Sequence, residues 1–124
     1  MAFIHHPEAL SVAGEVRIAS TSTAGSRPIT DVFPQCFGLD WHTQKDEIWF
    51  TASPENLLAT SLWSVTASRK PKLIHALPDV FILNDIAPDG KRIAMTSRRD
   101  QTRLVVRSGT NTPKDLSWFD WTFV

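Results

Sequence analysis

The chain has 124 residues, and its thirteen Lys and Arg equal its thirteen Asp and Glu, so the formal net charge is zero. That length suits one ordinary domain, and the charge balance speaks against a dedicated nucleic-acid binder, which carries a basic excess. Hydrophobic residues at 42% and charged residues at 21% exclude a disordered acidic tail, and no run approaches the roughly 18 apolar residues of a membrane span.

In chain order, the N-terminal Met-Ala-Phe-Ile-His-His-Pro has neither a basic n-region nor an apolar h-region, so no secretory leader is expected there. Residues 15–19 alternate as Glu-Val-Arg-Ile-Ala and predict a strand, with a turn at Ala24-Gly25-Ser26. Further runs of β-branched and aromatic residues predict strands over 47–52, 62–65, 73–77, 80–83, 92–95 and 104–106. Turn-forming clusters separate them at 53–56, 68–71, 88–90, 97–100 and 108–113. No segment carries a sustained apolar stripe at helical spacing. In Pro88-Asp89-Gly90 the proline fixes φ near −65° and the glycine accepts φ > 0, which predicts a tight hairpin with Gly90 in the left-handed region.

An internal repeat organises these strands. Residues 39–51 superpose on 84–96 at an offset of 45 without a gap. Asp40 falls on Asp85, Ile48 on Ile93 and Thr51 on Thr96, while Trp41 meets Ile86 and Phe50 meets Met95. A third copy starts at Phe119-Asp120-Trp121. A period of about 40–45 residues built from four short strands is the pattern of a propeller blade. A blade buries both faces against its neighbours, which accounts for the unbroken apolar runs at 48–50 and 104–106. A closed ring takes about four blades or more, whereas 124 residues hold about 2.8 such repeats.

Asn84-Asp-Ile-Ala-Pro-Asp-Gly-Lys-Arg-Ile-Ala94 resembles the Ser-Pro-Asp-Gly-Lys core of the WD40-like repeat of TolB-type propellers. Gly38-Leu-Asp-Trp-His-Thr-Gln-Lys-Asp-Glu-Ile-Trp-Phe-Thr51 is similar to a second form of that repeat, with His42-Thr-Gln-Lys45 where Ser-Pro-Asp-Gly is usual. Asp115-Leu-Ser-Trp-Phe-Asp-Trp121 resembles the start of a further blade in bacterial propellers that follow serine/threonine kinase domains. The resemblance implies an all-β fold: an incomplete β-propeller of roughly two to three four-stranded antiparallel blades. Residues 1–33 would be outer strands of a preceding blade, 34–80 one blade, 81–118 the next, and 119–124 the start of another.

Few residues point to chemistry. The four histidines include an adjacent pair, His5 and His6, which point to opposite faces of a strand, so no metal site is expected. The single cysteine, Cys36, forms no internal disulfide and reads as a buried, inert thiol. No Gly-x-Ser-x-Gly, phosphate-cradling glycine loop or kinase Asp-Phe-Gly occurs, so no catalytic residue and no cofactor are expected. Five tryptophans, Trp41, Trp49, Trp63, Trp118 and Trp121, read as packing between sheets rather than a stacking surface for a ligand. The cations Lys91, Arg92, Arg98, Arg99, Arg103 and Arg107 are interspersed with acids and read as a solvated edge, not a nucleic-acid patch. Asp40 and Asp85 share one repeat position and either line the central channel of the propeller or bond their own backbone turns.

The resemblance implies a non-catalytic interaction, sensor or scaffold segment of a larger bacterial protein, placed outside the cytoplasm if it is joined to a membrane-anchored kinase. Its partner is a protein, a peptide or a small ligand, or else the remaining blades or further copies of the chain; no membrane segment is expected. The alternative is the propeller portion of a prolyl oligopeptidase-type serine peptidase. Terminal faces bearing residues such as Leu104 and Val106 are expected to lack neighbours and to drive association.

Overall fold

A computed structural model describes residues 1–22, 25–55, 59–98, 105–107, 109, 112 and 114–115. These form eleven strands and no helix: β1 (Ala2–His5), β2 (Glu15–Ala19), β3 (Ser26–Pro28), β4 (Gln35–His42), β5 (Glu47–Ser53), β6 (Ser61–Thr66), β7 (Arg69–Ala76), β8 (Val80–Ile86), β9 (Ile93–Arg98), β10 (Val105–Val106) and β11 (Lys114–Asp115). Every pairing is antiparallel and joins strands consecutive in the chain, in sheets ordered β1-β2-β3, β4-β5-β6-β7, β8-β9 and β10-β11. Short connections make this sequential pairing the natural outcome.

Several boundaries depart from the sequence expectation: β5 takes in Ser53 and β9 takes in Ser97 and Arg98, all expected in turns. Residues 69–71, expected to break the chain, lie inside β7, and the reversal falls at Ala67 and Ser68. Pro71 is tolerated because β7 is an edge strand, where a missing N–H leaves no neighbour unpaired, and the ladder already shifts register between Ser64 and Thr66. Ser26, expected in a turn, instead opens β3 and pairs with Ala19. Ala24, Leu104 and the expected blade start at 119–124 lie outside the described residues.

The β4–β7 sheet is the centre of the molecule, and β5 explains why. Six of its seven residues are buried, which requires cover on both faces because successive side chains alternate. On one face Ile48, Phe50 and Ala52 join Cys36, Val65 and Val16, backed by Ile4, Ile18, Phe33, Leu39 and Trp63. That face packs on the β1–β3 sheet, with Phe33 edge-on to Phe50 at 5.5 Å between ring centroids. On the other face Trp49 and Leu62 pack with Leu83, Ile86 and Met95 of β8 and β9.

The internal repeat is present in the hydrogen-bond register. Asp40 pairs with Trp49, Trp41 with Ile48 and Phe37 with Thr51; at the same offset Asp85 pairs with Ala94, Ile86 with Ile93 and Ile82 with Thr96. Both hairpins carry an irregularity in their first strand, between Phe37 and Leu39 and between Leu83 and Asp85. The ungapped alignment therefore slips by one residue there. Leu83, not Asn84, takes the place of Leu39, and Asn84 becomes the extra residue that Gly38 is in β4.

Candidate functional site at the junction of β4 and β8

The first strands of the two repeats, β4 and β8, lie side by side without joining one ladder, and polar side chains bridge them. The half-buried Asp40 carboxylate accepts hydrogen bonds from the backbone N–H of Ile86 at 2.7 Å and from that of Trp41 at 2.8 Å. Buried Thr51 donates to the Phe37 carbonyl within its own sheet at 3.2 Å, and its Oγ1 accepts from the Leu83 N–H at 3.3 Å. Buried Thr60 closes the far end: its Oγ1 accepts from the Phe81 N–H at 2.9 Å and donates to the Phe81 carbonyl at 3.0 Å. These bonds satisfy backbone groups of β8 that no neighbouring strand reaches on that side.

Gly38 permits the approach. It has φ of +27°, and a Cβ placed on it would overlap the carbonyl oxygen of Leu83. Only glycine brings the two backbones this close.

The two hairpin tips also meet. Thr43 Oγ1 and Gln44 Nε2 both donate to the Pro88 carbonyl, at 3.3 and 3.1 Å. The Pro88-Asp89-Gly90 turn is closed by Gly90 N–H to the Ala87 carbonyl at 2.7 Å, and Asp89 accepts from the Lys91 N–H at 3.0 Å. Gly90 has φ of +68°, and a Cβ there would sit 2.5 Å from Cε1 of His42. His42 is 3% exposed, lies 4.5 Å from the Trp49 ring, and its Nδ1 has no partner. It fills the space beneath the turn of the following repeat.

Asp40 and Asp85, one repeat apart, thus have different surroundings. Asp40 bonds both its own strand and the next repeat, whereas Asp85 is exposed on the side of β8–β9 turned away from β4. Ala94 and Thr96, which share that side, are exposed too. Val106 is 46% exposed.

Other sequence candidates fall elsewhere. Cys36 is fully buried in the central core, and burial pushes its thiol up to about 12, so it stays protonated and unreactive. Trp49 and Trp63 pack against the two faces of the central sheet, while Trp41 is 40% exposed; Trp118 and Trp121 lie outside the described residues. Arg92, Arg98 and Arg107 are exposed, and Arg99 and Arg103 are outside the described residues. His5 sits 3.5 Å from Glu15 and His6 bonds the Ala13 carbonyl. Among the described residues no group of three or more His, Cys, Asp or Glu could hold a metal ion, and no helix is long and apolar enough to cross a membrane.

The junction therefore has the chemistry of a mechanical joint: acceptor side chains on one repeat hold backbone donors of the next. Sequence reasoning found Asp40 and the Pro88-Asp89-Gly90 turn but missed Gly38, His42, Thr51 and Thr60 as joint residues. The signal for Thr51 was its recurrence at Thr96, and for Gly38 its place two residues before Asp40, which recurs at Asp85. Compared with known proteins, the chain matches no family model, no curated protein and no solved structure.

Proposed function

We propose that this chain is a non-catalytic segment of a β-propeller, contributing two to three blades to an interaction, sensor or scaffold module of a larger bacterial protein. One observation carries the proposal: β5 of the β4–β7 sheet is buried on both faces between the sheets that precede and follow it, and the first strand of that sheet is tied to the first strand of the next repeat. Face-to-face stacking of sequential antiparallel sheets around aligned first strands is the packing of blades. In this arrangement β1–β3 are the outer strands of a preceding blade, β4–β7 a whole blade, and β8–β9 the inner half of the next.

The open side of β8–β9 is where a further blade or a second copy docks. Asp85 and Thr96 stand there at the positions of the two acceptors, Asp40 and Thr51, with which the central sheet holds β8, and Thr96 Oγ1 accepts from Asn84 Nδ2 at 2.8 Å. The polar acceptors at this site support a role in assembly. The test is light scattering across a concentration series, with Asp85→Arg as comparison. The chain is expected to self-associate, and Asp85→Arg to reduce association while leaving the melting temperature of the dilute chain in place. A monomer of about 14 kDa at every concentration would show that these residues close a compact β-domain by themselves and would overturn the proposal.

A further inference from the structure

Away from the β4–β8 joint, a cleft opens between the outer edges of the first two sheets. One wall is formed by residues 27–31, at the end of β3 and the turn after it; the other by residues 67–71, the β6–β7 reversal and the start of β7. Its volume is about 450 Å³, within the roughly 300–1,000 Å³ of small-molecule sites. Arg27, Arg69 and Lys70 line it, and Asp31 is the one acid among the lining residues. A chain of zero net charge thus concentrates an excess of two positive charges in one concavity.

These cations are not spent on internal pairs. Arg17, nearby on β2, is neutralised by Glu15 at 2.6 Å. Among the described residues neither Arg69, Lys70 nor Asp31 has an ion-pair partner. Arg27 is held in place across the cleft, where its Nη2 donates to the Ala67 carbonyl at 3.1 Å and its remaining N–H groups stay available. Like charges gathered in a concave site repel one another and focus a positive potential that an anion relieves. A guanidinium fork matches a phosphate or carboxylate in a bidentate way, and a lysine adds a point charge beside it.

The strand edges flanking the cleft narrow the choice of occupant. Pro28 on β3 and Pro71 on β7 remove N–H groups from both edges, so neither offers a continuous ladder to an added peptide strand. We infer that this cleft binds a small polyanion carrying two or more phosphate or carboxylate groups, drawn by the excess positive charge that Arg27, Arg69 and Lys70 place along its walls.

The test is a backbone amide NMR titration of the full chain, with inorganic pyrophosphate in one arm and citrate in the other. Saturable shifts are expected at residues 29–31 and 67–70. They should weaken at least about tenfold in the Arg69→Glu/Lys70→Glu double variant, neither residue having an ion pair to lose, and should fade at about 1 M salt, where the Debye length is about 3 Å. The double variant Lys91→Glu/Arg92→Glu makes the same charge change at exposed residues outside the cleft and should leave binding unchanged. Tighter pyrophosphate binding assigns a phosphoryl ligand, and tighter citrate binding a carboxylate. Shifts that fail to saturate in both arms, or equal weakening by Lys91→Glu/Arg92→Glu, would overturn the inference.

Discussion

The hairpins β4–β5 and β8–β9 share a register, a turn position and an irregularity, yet one is interior and the other is surface. In β5 every residue after Glu47 is buried, while in β9 only Met95 is even half-buried. The pairing partners match, so backbone geometry does not cause the difference. What differs is what lies against the second face: β8 covers Trp49 and Thr51, whereas among the described residues no further sheet covers their counterparts Ala94 and Thr96, both exposed. The substitution pattern follows the same logic. The open side keeps polar residues at the acceptor positions but has alanine in place of the tryptophan, so its described residues are less apolar there than those of β5. Local sequence sets the hairpin, and the neighbouring sheet sets its burial.

The largest effect that tests this contrast is at equivalent core positions. Phe50 is fully buried and Met95 is half-buried at the corresponding place in β9. Phe50→Ala should cost about 3–5 kcal/mol, the range for a buried aromatic, and Met95→Ala less than the roughly 2–5 kcal/mol of a fully buried methionine. Urea unfolding of both variants measures the gap. Equal losses would mean that β9 is as well covered as β5.

Next come the paired acids. Asp40→Ala leaves the Ile86 N–H without its acceptor; a hydrogen bond to a charged group contributes roughly 1.5–3 kcal/mol. Asp85→Ala removes an exposed carboxylate and should change stability by less than about 0.5 kcal/mol in the dilute chain. If the two losses are alike, Asp85 already holds a neighbour and the open face is not open.

Much of this fold was legible because strand chemistry is local. The runs at 47–52, 62–65 and 80–83 became β5, β6 and β8 to within a few residues, since β-branched and aromatic residues between turn signals need no distant information. The repeat was legible because Asp40 and Asp85, and Thr51 and Thr96, stand at fixed spacing. The one-residue slip at Gly38 and Asn84 was not, because an irregularity is set by the backbone of the neighbouring strand. Nor was the β4–β8 joint legible, because a carboxylate reaching 46 residues along the chain leaves no trace in local pattern. The basic cleft escaped for the same reason: Arg27 is some forty residues from Arg69 and meets its wall only through tertiary packing.

A smaller effect is expected at the turn that meets His42. Gly90→Val forces a β-branched residue into φ of +68° and pushes its Cβ onto the buried imidazole. The strained backbone alone costs on the order of 1–3 kcal/mol. Asp46, in the turn of the first hairpin, also has positive φ, at +52°, but is an exposed aspartate. Asp46→Gly should therefore be tolerated where Gly90→Val is not, a comparison that thermal melting reads directly.

The smallest effect at neutral pH, and the sharpest test of cover, uses thiols. Cys36 is fully buried on the covered side of the central sheet, with its thiol raised from 9.0 to about 12 by desolvation. Between pH 9.0 and about 12 the unfolded chain gives up this proton while the folded chain keeps it. Stability should therefore fall as pH rises through that window, by about 1.4 kcal/mol per unit, and Cys36→Ala should flatten that part of the curve. Below pH 9.0 the thiol is protonated in both states, so it adds no pH dependence, and an alkylating reagent should modify Cys36 only as fast as the chain unfolds. A thiol placed on the open side by Ala94→Cys, in the Cys36→Ala background, should react like a free thiol in dilute solution, because Ala94 is exposed. Its reactivity should then fall as concentration rises and another copy covers β8–β9. Ala94→Cys protected even at high dilution would mean that the chain covers this side itself, and the difference between the two hairpins would disappear.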